Sequence, residues 1–342
     1  MATLRFSRKQ ITHAGVVLIT NEATPTARAQ ALQTLSDWRA LHWYPMHMLA
    51  LALRQHLRAQ HKTAVIATRL KRLPTILDKL QNREQKMALA RMQDVGGVRA
   101  ILPSINDIRM LEKYCRQIKG HLTLKGSKDY LTAPRCSGYR SLHLVYEYRN
   151  PNKPELDGLL IELQLRSRLQ HLWATAVEAV GFARQEALKS SRGAEEWLTF
   201  FKLVSALFAF REANQPPPEF ESSSESEVKE KLKEHIRTFG SIDTLQAIAH
   251  LSMPPHLDSL KQSKYWLIRS DGRQLLFQGF NDETAAFSAY NDLEQTPLNL
   301  IGQAQTLLFS VDSVKNIQRA YPNFFLNISD FLRQLTRLLD HA

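Results

Sequence analysis

Apolar residues recur at intervals of three and four in the first 60 residues of the chain, which predicts helices. The clearest stripe consists of Leu32, Leu35, Trp38 and Leu41. Pro25 is expected to begin this helix with Thr24 as its cap, because proline suits a first helical turn and threonine caps one. Pro45 is expected to separate it from a second helix. A helical extension therefore precedes the rest of the chain.

Between residues 63 and 212 the pattern alternates between strands and helices. Residues 68–74 are predicted to be extended, because Pro74 disfavours helical geometry just before it and can begin the next helix. Residues 92–102 are interpreted as a loop leading into a buried strand. The further predicted elements are helices over about 105–119, 169–180 and 195–211 and strands over 121–125, 141–148 and 159–166. This pattern predicts an α/β (α+β) fold whose mixed sheet has about five strands flanked by helices.

The strand over 159–166 has one apolar and one polar face. The polar face carries Leu160, Glu162, Gln164 and Arg166, and the apolar face Leu159, Ile161, Leu163 and Leu165. A short loop joins this strand to the preceding one, so the two are expected to pair antiparallel with Glu162 and His143 on the same side. Such a polar face is either a solvated outer surface or the floor of a polar site.

A basic and aromatic loop is predicted between Lys128 and His143, because Pro134, Ser137 and Gly138 are turn residues. Its cations are Lys128, Arg135 and Arg140, and its aromatic residues are Tyr130 and Tyr139. Cations beside a stackable ring suit a base that carries phosphates. The alternative is a surface loop whose charges are only solvated.

Upstream polar residues are expected to converge on one region. Arg69 and Lys71 lie on one face of the extended segment, and Lys79 lies in the helix that follows. Three such cations suit a phosphate chain, although a basic helix entry is frequent. Asp94 precedes a buried strand and could equally be a helix cap, but together with Glu162 it suits Mg²⁺, which prefers one or two carboxylates plus substrate phosphates.

The C-terminal part is predicted to be a separate small α+β unit. Residues 214–227, rich in proline, serine and glutamate, are interpreted as a linker. A helix over 228–251 follows, and Asp271-Gly272 predicts a hairpin. The further predicted elements are hairpin strands over 265–268 and 274–277, a helix over 282–293, a strand over 306–311 and closing helices. No catalytic cluster is predicted in this part.

The composition of the chain indicates which kinds of partner and which cellular compartment to expect. The net charge of +12 over 342 residues favours an anionic partner such as nucleotide phosphates, RNA or an acidic protein. The two cysteines, Cys115 and Cys136, form no disulfide framework or metal finger, which predicts a reduced, cytoplasmic protein. The apolar run over 16–19 is too short for a membrane span, so we expect no membrane segment and no signal peptide.

Four of these motifs occur in the order found in the synthetase domain of the RelA/SpoT superfamily, the alarmone synthetases, which the chain resembles from about Ala64 to Val180. The strongest are Lys128-Asp129-Tyr130 with Pro134 and Gly138-Tyr139-Arg140-Ser141-Leu142-His143, and Glu162-Leu163-Gln164-Leu165-Arg166-Ser167. Arg69-Leu70-Lys71 with Lys79, and Asp94-Val95-Gly96-Gly97-Val98-Arg99, support them.

The resemblance implies an enzyme that moves the β,γ-pyrophosphate of ATP to the ribose 3′-hydroxyl of GDP or GTP with Mg²⁺, making (p)ppGpp. It implies ATP binding by Arg69, Lys71 and Lys79. It implies Mg²⁺ binding by Asp94 and Glu162, and Glu162 would also help to deprotonate the hydroxyl. On the acceptor side, Tyr139 would stack on the base; Lys128, Arg135 and His143 would contact phosphates or stabilise the loop; and Gln164 and Arg166 would support Glu162.

Two departures from the family concern the acceptor. Ser137 stands where the family usually has Asn, and Arg135 where it often has Lys. The alternative function is therefore a toxin-type relative that pyrophosphorylates the 3′ end of tRNA, or makes adenosine alarmones, under control of its C-terminal domain. A second alternative is an inactive nucleotide- or RNA-binding module. No His-Asp metal pattern precedes the synthetase region, so hydrolysis of the product is not expected.

The predicted domains are a helical extension over 1–62, the RelA/SpoT-like domain over 63–212, a linker over 213–228 and an accessory or regulatory α+β domain over 229–342. The last would either block the site until a protein trigger binds, as a fused antitoxin would, or serve stability or homo-oligomerisation.

Overall fold

A computed structural model describes residues 6–20, 22–83, 87–184, 186, 188, 193–250, 263–270, 275–294, 296, 305–309 and 328–340. Three helices come first: α1 (Arg8–Ile19), α2 (Pro25–Leu41) and α3 (Trp43–Ala59). As predicted, Thr24 caps α2, because its side chain accepts a hydrogen bond from the backbone N–H of Ala27. The predicted break at Pro45 is wrong. The break falls at His42, and Pro45 lies in the first turn of α3, where a missing N–H costs no helical hydrogen bond.

The central sheet has five strands in the order β1-β2-β5-β4-β3, which confirms the predicted fold class. The strands are β1 (Val65–Leu70), β2 (Gly96–Leu102), β3 (Leu122–Asp129), β4 (Leu142–Tyr148) and β5 (Leu160–Ser167). Only the central pair β2–β5 is parallel among these strands, and β4–β5 is antiparallel as predicted. The helices of this region are α4 (Leu73–Asp78), α5 (Ile105–Arg116), α6 (Arg168–Ala183) and α7 (Glu195–Arg211).

Strand β3 is longer than predicted, so Lys128 lies on a strand and not in a loop. The ladder with β4 continues through Lys128 opposite His143 to Asp129 opposite Leu142. A register shift between Leu124 and Gly126 lets this polar end stay paired. The carboxylate of Asp129 then begins the loop by accepting the backbone N–H groups of the two turn residues that follow Tyr130.

The described C-terminal residues form two helices, a three-stranded sheet and two further helices. Helices α8 (Glu225–Phe239) and α9 (Ser241–His250) replace the single predicted helix, because Gly240 between them takes a left-handed φ of 61°. The sheet is antiparallel, in the order β7-β6-β8. The remaining elements are β6 (Tyr265–Ser270), β7 (Leu275–Phe280), α10 (Glu283–Glu294), β8 (Gln305–Phe309) and α11 (Ser329–Asp340). The predicted hairpin strands are confirmed, whereas its Asp271-Gly272 turn lies outside the described residues.

Two buried cores join these elements. The first lies against the apolar face of the central sheet and combines α1–α3 with side chains of the C-terminal sheet and α10, among them Leu267, Leu308 and Tyr290. The second unites α6–α9 and α11 around Phe200, Phe208 and Phe331. Within the predicted linker, Phe220 is buried in this second core. Among the helices in the described ranges, none is both long enough and apolar enough to cross a membrane.

Candidate active site

The polar face of the central sheet holds most of the predicted site residues. In one row across the strands Arg69 pairs with Gly97, and Gly97 pairs with Glu162. In the next row the paired residues are Arg99, Gln164, His143 and Lys128. Directly paired residues of neighbouring strands point to the same side of a sheet. Gly97 therefore leaves an open position between the arginine and the glutamate.

Asp94 ties two of the predicted donor cations together. Its Oδ2 atom lies 2.8 Å from Nζ of Lys71, and its Oδ1 atom lies 3.3 Å from Nζ of Lys79. Burial alone would raise the pKa of Asp94, but the two ammonium groups and their hydrogen bonds lower it to about 2. Asp94 is therefore an anion throughout the neutral range, and all three side chains remain partly accessible to a ligand.

Local geometry explains why these cations meet. The backbone N–H of Lys71 donates to the carbonyl of Val95, which fixes the end of β1 beside Asp94. Pro74 lies in the first turn of α4, as predicted, and the π-helical turn Lys79–Arg83 that follows brings Lys79 to the same carboxylate. Burial lowers the pKa of Lys71, and the nearby charges of Lys79 and Arg69 lower it further, whereas Asp94 raises it.

Glu162 is held by two neighbours on the polar face. Its Oε1 atom lies 2.9 Å from Nδ1 of His143, and Nε2 of Gln164 donates to its Oε2 atom at 2.6 Å. Burial would raise the pKa of Glu162, but His143 and Gln164 lower it overall, whereas the charge of Asp94 raises it. This last effect makes the two carboxylates electrostatic neighbours.

His143 connects Glu162 to the aromatic loop. Its Nε2 atom lies 2.7 Å from the hydroxyl of Tyr139, and Nη2 of Arg166 donates to the same hydroxyl at 2.9 Å. Arg166 also donates to Oε1 of Gln164 at 3.2 Å. Burial lowers the pKa of His143, but Tyr139 and Glu162 raise it to about 9. Both ring nitrogens can then donate at neutral pH, one to each partner.

The other two predicted acceptor residues are Arg135, in the outer part of the loop, and Lys128, near the end of β3. The Nη2 atom of Arg135 donates to the hydroxyl of Tyr130 at 2.7 Å, and its guanidinium carbon lies 4.7 Å from the centre of that ring. The Tyr130 ring meets the rings of Tyr139 and His143 edge-on. Lys128 and Arg135 are exposed. Arg166 reaches Glu162 through Gln164 on one side and through Tyr139 and His143 on the other. The support predicted for Glu162 from this arginine is therefore indirect.

Two further cations of this region were missed by the prediction. Arg99 lies beside Gln164 on the polar face, and the alternation of Gly97, Arg99 and Ile101 along β2 would have found it. Arg72 lies close enough to Arg69 for their charges to interact, and both burial and Arg69 lower its pKa. The charge of Glu294 on α10 acts on Arg72 from the C-terminal part, which a linear pattern does not reveal.

The acidic side chains of the site that could hold a metal ion are those of Asp94 and Glu162. In the described part of the chain, no group of three or more His, Cys, Asp and Glu side chains is arranged to hold a metal ion. Asp94 and Glu162 instead offer hard, anionic oxygens, each of which contacts one hydrogen-bonding neighbour in this structure. This donor set fits Mg²⁺, which binds one or two carboxylates together with waters and substrate phosphates. It fits zinc less well, because protein zinc sites are built mainly from cysteine and histidine ligands in tetrahedral geometry.

Comparison with known proteins finds relatives of the central region. A family model described as "Region found in RelA / SpoT proteins" matches residues 68–185. The chain is 27% identical over 118 residues to the GTP pyrophosphokinase YjbM of Bacillus subtilis (strain 168), a match that covers 34% of this chain and 56% of the relative. It is 30% identical over 112 residues to the GTP pyrophosphokinase YwaC of the same organism, which covers 32% and 53%. The chain thus spans about half the length of the curated relatives it matches.

Solved structures of similar proteins include small alarmone synthetase 1 of Bacillus subtilis bound to its product pppGpp, at 20% identity and a TM-score of 0.44, covering 51% of this chain and 90% of the other. A GTP pyrophosphokinase family protein from Streptococcus pneumoniae is 19% identical with a TM-score of 0.41, covering 63% and 95%. The family match confirms the predicted resemblance to RelA/SpoT proteins over residues 68–185.

Proposed function

We propose that this chain is an ATP-dependent pyrophosphokinase that transfers the β,γ-pyrophosphate of ATP to the ribose 3′-hydroxyl of GDP or GTP. One observation carries the proposal. Asp94, bonded to two lysines, lies close enough to Glu162 for its charge to act on that carboxylate, and Glu162 is connected through His143 to Tyr139. A cationic subsite and an aromatic subsite thus meet at two carboxylates.

The cationic subsite suits the triphosphate of ATP. Lys71 and Lys79 each use a hydrogen bond on Asp94, but an ammonium group has three N–H donors and can also bind phosphate oxygens. Arg69 pairs with Gly97, which has no side chain, and adds a planar guanidinium that can bind two phosphate oxygens at once. These side chains would hold the β- and γ-phosphates in the orientation that transfer requires.

Asp94 and Glu162 would hold Mg²⁺, which when bound neutralises phosphate charge and positions the reacting oxygens. Glu162 has a second task in the proposal. Because its pKa is lowered, it is an anion that can accept a hydrogen bond from the acceptor 3′-hydroxyl and take the proton as the new bond forms. His143 and Gln164 hold the carboxylate for that contact.

The reaction is a single in-line displacement. The acceptor 3′-oxygen bonds to the β-phosphorus of ATP, the bond from that phosphorus to the α,β-bridging oxygen breaks, and AMP leaves. Tyr139 would stack on the acceptor base, since its hydroxyl is anchored by His143 and Arg166. Lys128 and Arg135, both exposed at the edge of the site, would contact the acceptor phosphates. The relatives' names support a guanine nucleotide as acceptor.

A second candidate acceptor is the 3′ end of tRNA. The net charge of +12 favours it, because a long polyanion gains more from distributed positive charge than a single nucleotide does. In this version the same donor and carboxylate residues act on a different 3′-hydroxyl.

A labelling experiment separates these acceptors. The full chain is incubated with Mg²⁺, γ-labelled ATP and, in separate reactions, GDP, GTP, AMP, ADP or deacylated tRNA. Label on GDP and GTP supports the main proposal, and label on tRNA alone supports the second candidate. Label on no acceptor, with the protein folded, rules out pyrophosphate transfer and leaves a nucleotide-binding module.

A further inference from the structure

A buried ion pair lies behind the acceptor loop, outside the polar face. The guanidinium of Arg140, 3% exposed, donates from Nη1 to Oε2 of Glu212 at 2.7 Å. The Glu212 side chain is itself only 8% exposed. The two residues are 72 positions apart, since Arg140 lies just before β4 and Glu212 just after α7. A buried charge pair needs good geometry to offset its loss of hydration, so a specific arrangement is expected around it.

Glu212 also reaches the start of α6. Its Oε1 atom accepts a hydrogen bond from the hydroxyl of Ser167, and its Oε2 atom accepts one from Nε2 of Gln170 at 3.5 Å. Ser167 caps α6 and directly follows Arg166, whose guanidinium holds the Tyr139 hydroxyl. One carboxylate therefore connects both chain segments that fix Tyr139.

Helix α7 packs against the loop at Gly138, the residue before Tyr139. The Ser205 hydroxyl accepts from Nε of Arg140 at 3.3 Å and donates to the carbonyl of Gly138 at 2.5 Å. Gly138 has a φ of +88°, and a Cβ there would lie 3.0 Å from Cβ of Ser205 and 3.1 Å from Trp173. The backbone on either side of Tyr139 is thus anchored from behind, which sets the direction of its ring.

We propose that Glu212 and Arg140 are positioning residues that fix the acceptor loop, and with it Tyr139, for binding of the acceptor base. That the loop binds an acceptor base rests on the proposed function. Neither side chain lies on the polar face, so neither would touch ATP. Loss of the pair should weaken acceptor binding and leave ATP binding unchanged.

Glu212→Gln tests the proposal, because it keeps the shape of the side chain and removes its charge. The KM for the acceptor should rise about tenfold, because that is the effect expected from losing one hydrogen bond between charged groups. The KM for ATP should stay within about twofold. Amide hydrogen exchange of residues 135–141 should accelerate, and that of β1 and β2 should not. The matched control is Glu219→Gln, which removes the exposed partner of Lys202 beyond the same helix and should change neither KM.

A second variant covers the case in which Glu212→Gln does not fold. The double variant Arg140→Met/Glu212→Met replaces the ion pair by apolar side chains, and proteins generally tolerate such a replacement of a buried pair. This variant should show the same selective rise in acceptor KM. An unchanged acceptor KM and exchange rate, or an equal rise in both KM values, overturns the proposal. If the wild-type chain transfers pyrophosphate to no acceptor, the proposed function fails, but exchange at residues 135–141 still tests the anchoring.

Discussion

The Nδ1 atom of His143 lies 2.9 Å from Oε1 of Glu162, across the antiparallel pair of strands that forms the floor of the site. The same imidazole reaches the Tyr139 hydroxyl with its other nitrogen. One side chain thus connects the proposed reacting carboxylate to the proposed base-stacking ring. Several consequences of this arrangement, and of the buried charges around it, can be measured.

The protonation of His143 should make stability pH-dependent. Its pKa is raised from about 6.5 to about 9 in the folded chain, so the protonated form stabilises the fold fully below pH 6.5, and that contribution is lost as the pH rises to 9. Urea unfolding of the wild type and of His143→Gln should therefore differ most at pH 6. The difference should shrink by about 1.4 kcal/mol at most for each pH unit above 6.5. A difference that grew with pH would contradict the assigned protonation.

Lys71 should matter for ATP and not for the acceptor. Lys71→Met removes a partly buried ammonium group from Asp94, and we expect the KM for ATP to rise about tenfold or more, as the loss of a charged hydrogen bond implies. Lys62→Met is the matched control, because Lys62 bonds Asp107 at a similar 2.9 Å but is 45% exposed and has no contact with Asp94 among the described ion pairs. Equal effects of the two substitutions on ATP saturation would argue against the cationic subsite.

The two cysteines should differ sharply in reactivity. Cys136 is exposed, whereas Cys115 is buried and its burial raises the pKa of its thiol to about 12. A thiol-reactive probe at pH 8 should label Cys136 alone in the native chain and both residues in denaturant, because the thiolate is the reactive form. Cys136→Ser should abolish native labelling. Rapid native labelling in that variant would show that the core around Cys115 is open.

The buried pair between Arg39 and Glu294 should stabilise the contact of α10 with the N-terminal helices. Arg39 donates to Glu294 and to the hydroxyl of Tyr290, each at 2.5 Å. Arg39→Met leaves Glu294 buried without its charge partner and should lower the free energy of unfolding by about 3–5 kcal/mol. Arg333→Met, which breaks an exposed pair with Asp330, should cost less than about 1 kcal/mol. A loss as small as the control's would mean that α10 is not anchored here.

Strand alternation predicted the floor of the site well. A period of two fixes which side of a strand each residue faces, so the position of Glu162 beside His143 followed from the pattern. The turn residues Pro134, Ser137 and Gly138 predict a loop that begins at Lys128, but pairing with β4 keeps Lys128 in a strand. The bond between Arg140 and Glu212 spans 72 residues, and nothing in either local segment encodes it.

The residues proposed to bind ATP also divide into those that local sequence predicts and those that depend on tertiary packing. The grouping of Lys71 with Lys79 followed from the proline that starts α4, since this helix is short and the two lysines flank its opposite ends. Their shared contact with Asp94 depends on how β1 meets the segment before β2, which is tertiary packing. The influence of Glu294 on Arg72 depends on where α10 lies, and periodicity carries no such information.

The rate of pyrophosphate transfer by Glu162→Gln tests the central claim most directly. The substitution keeps the size of the side chain and its contact with Gln164 but removes the charge that would hold Mg²⁺ and accept the hydroxyl proton. With γ-labelled ATP and GDP we predict a loss of at least about a thousandfold, with folding unchanged by circular dichroism. Glu230→Gln, at an exposed pair with Lys233, should transfer at the wild-type rate. Wild-type transfer by Glu162→Gln would contradict the account.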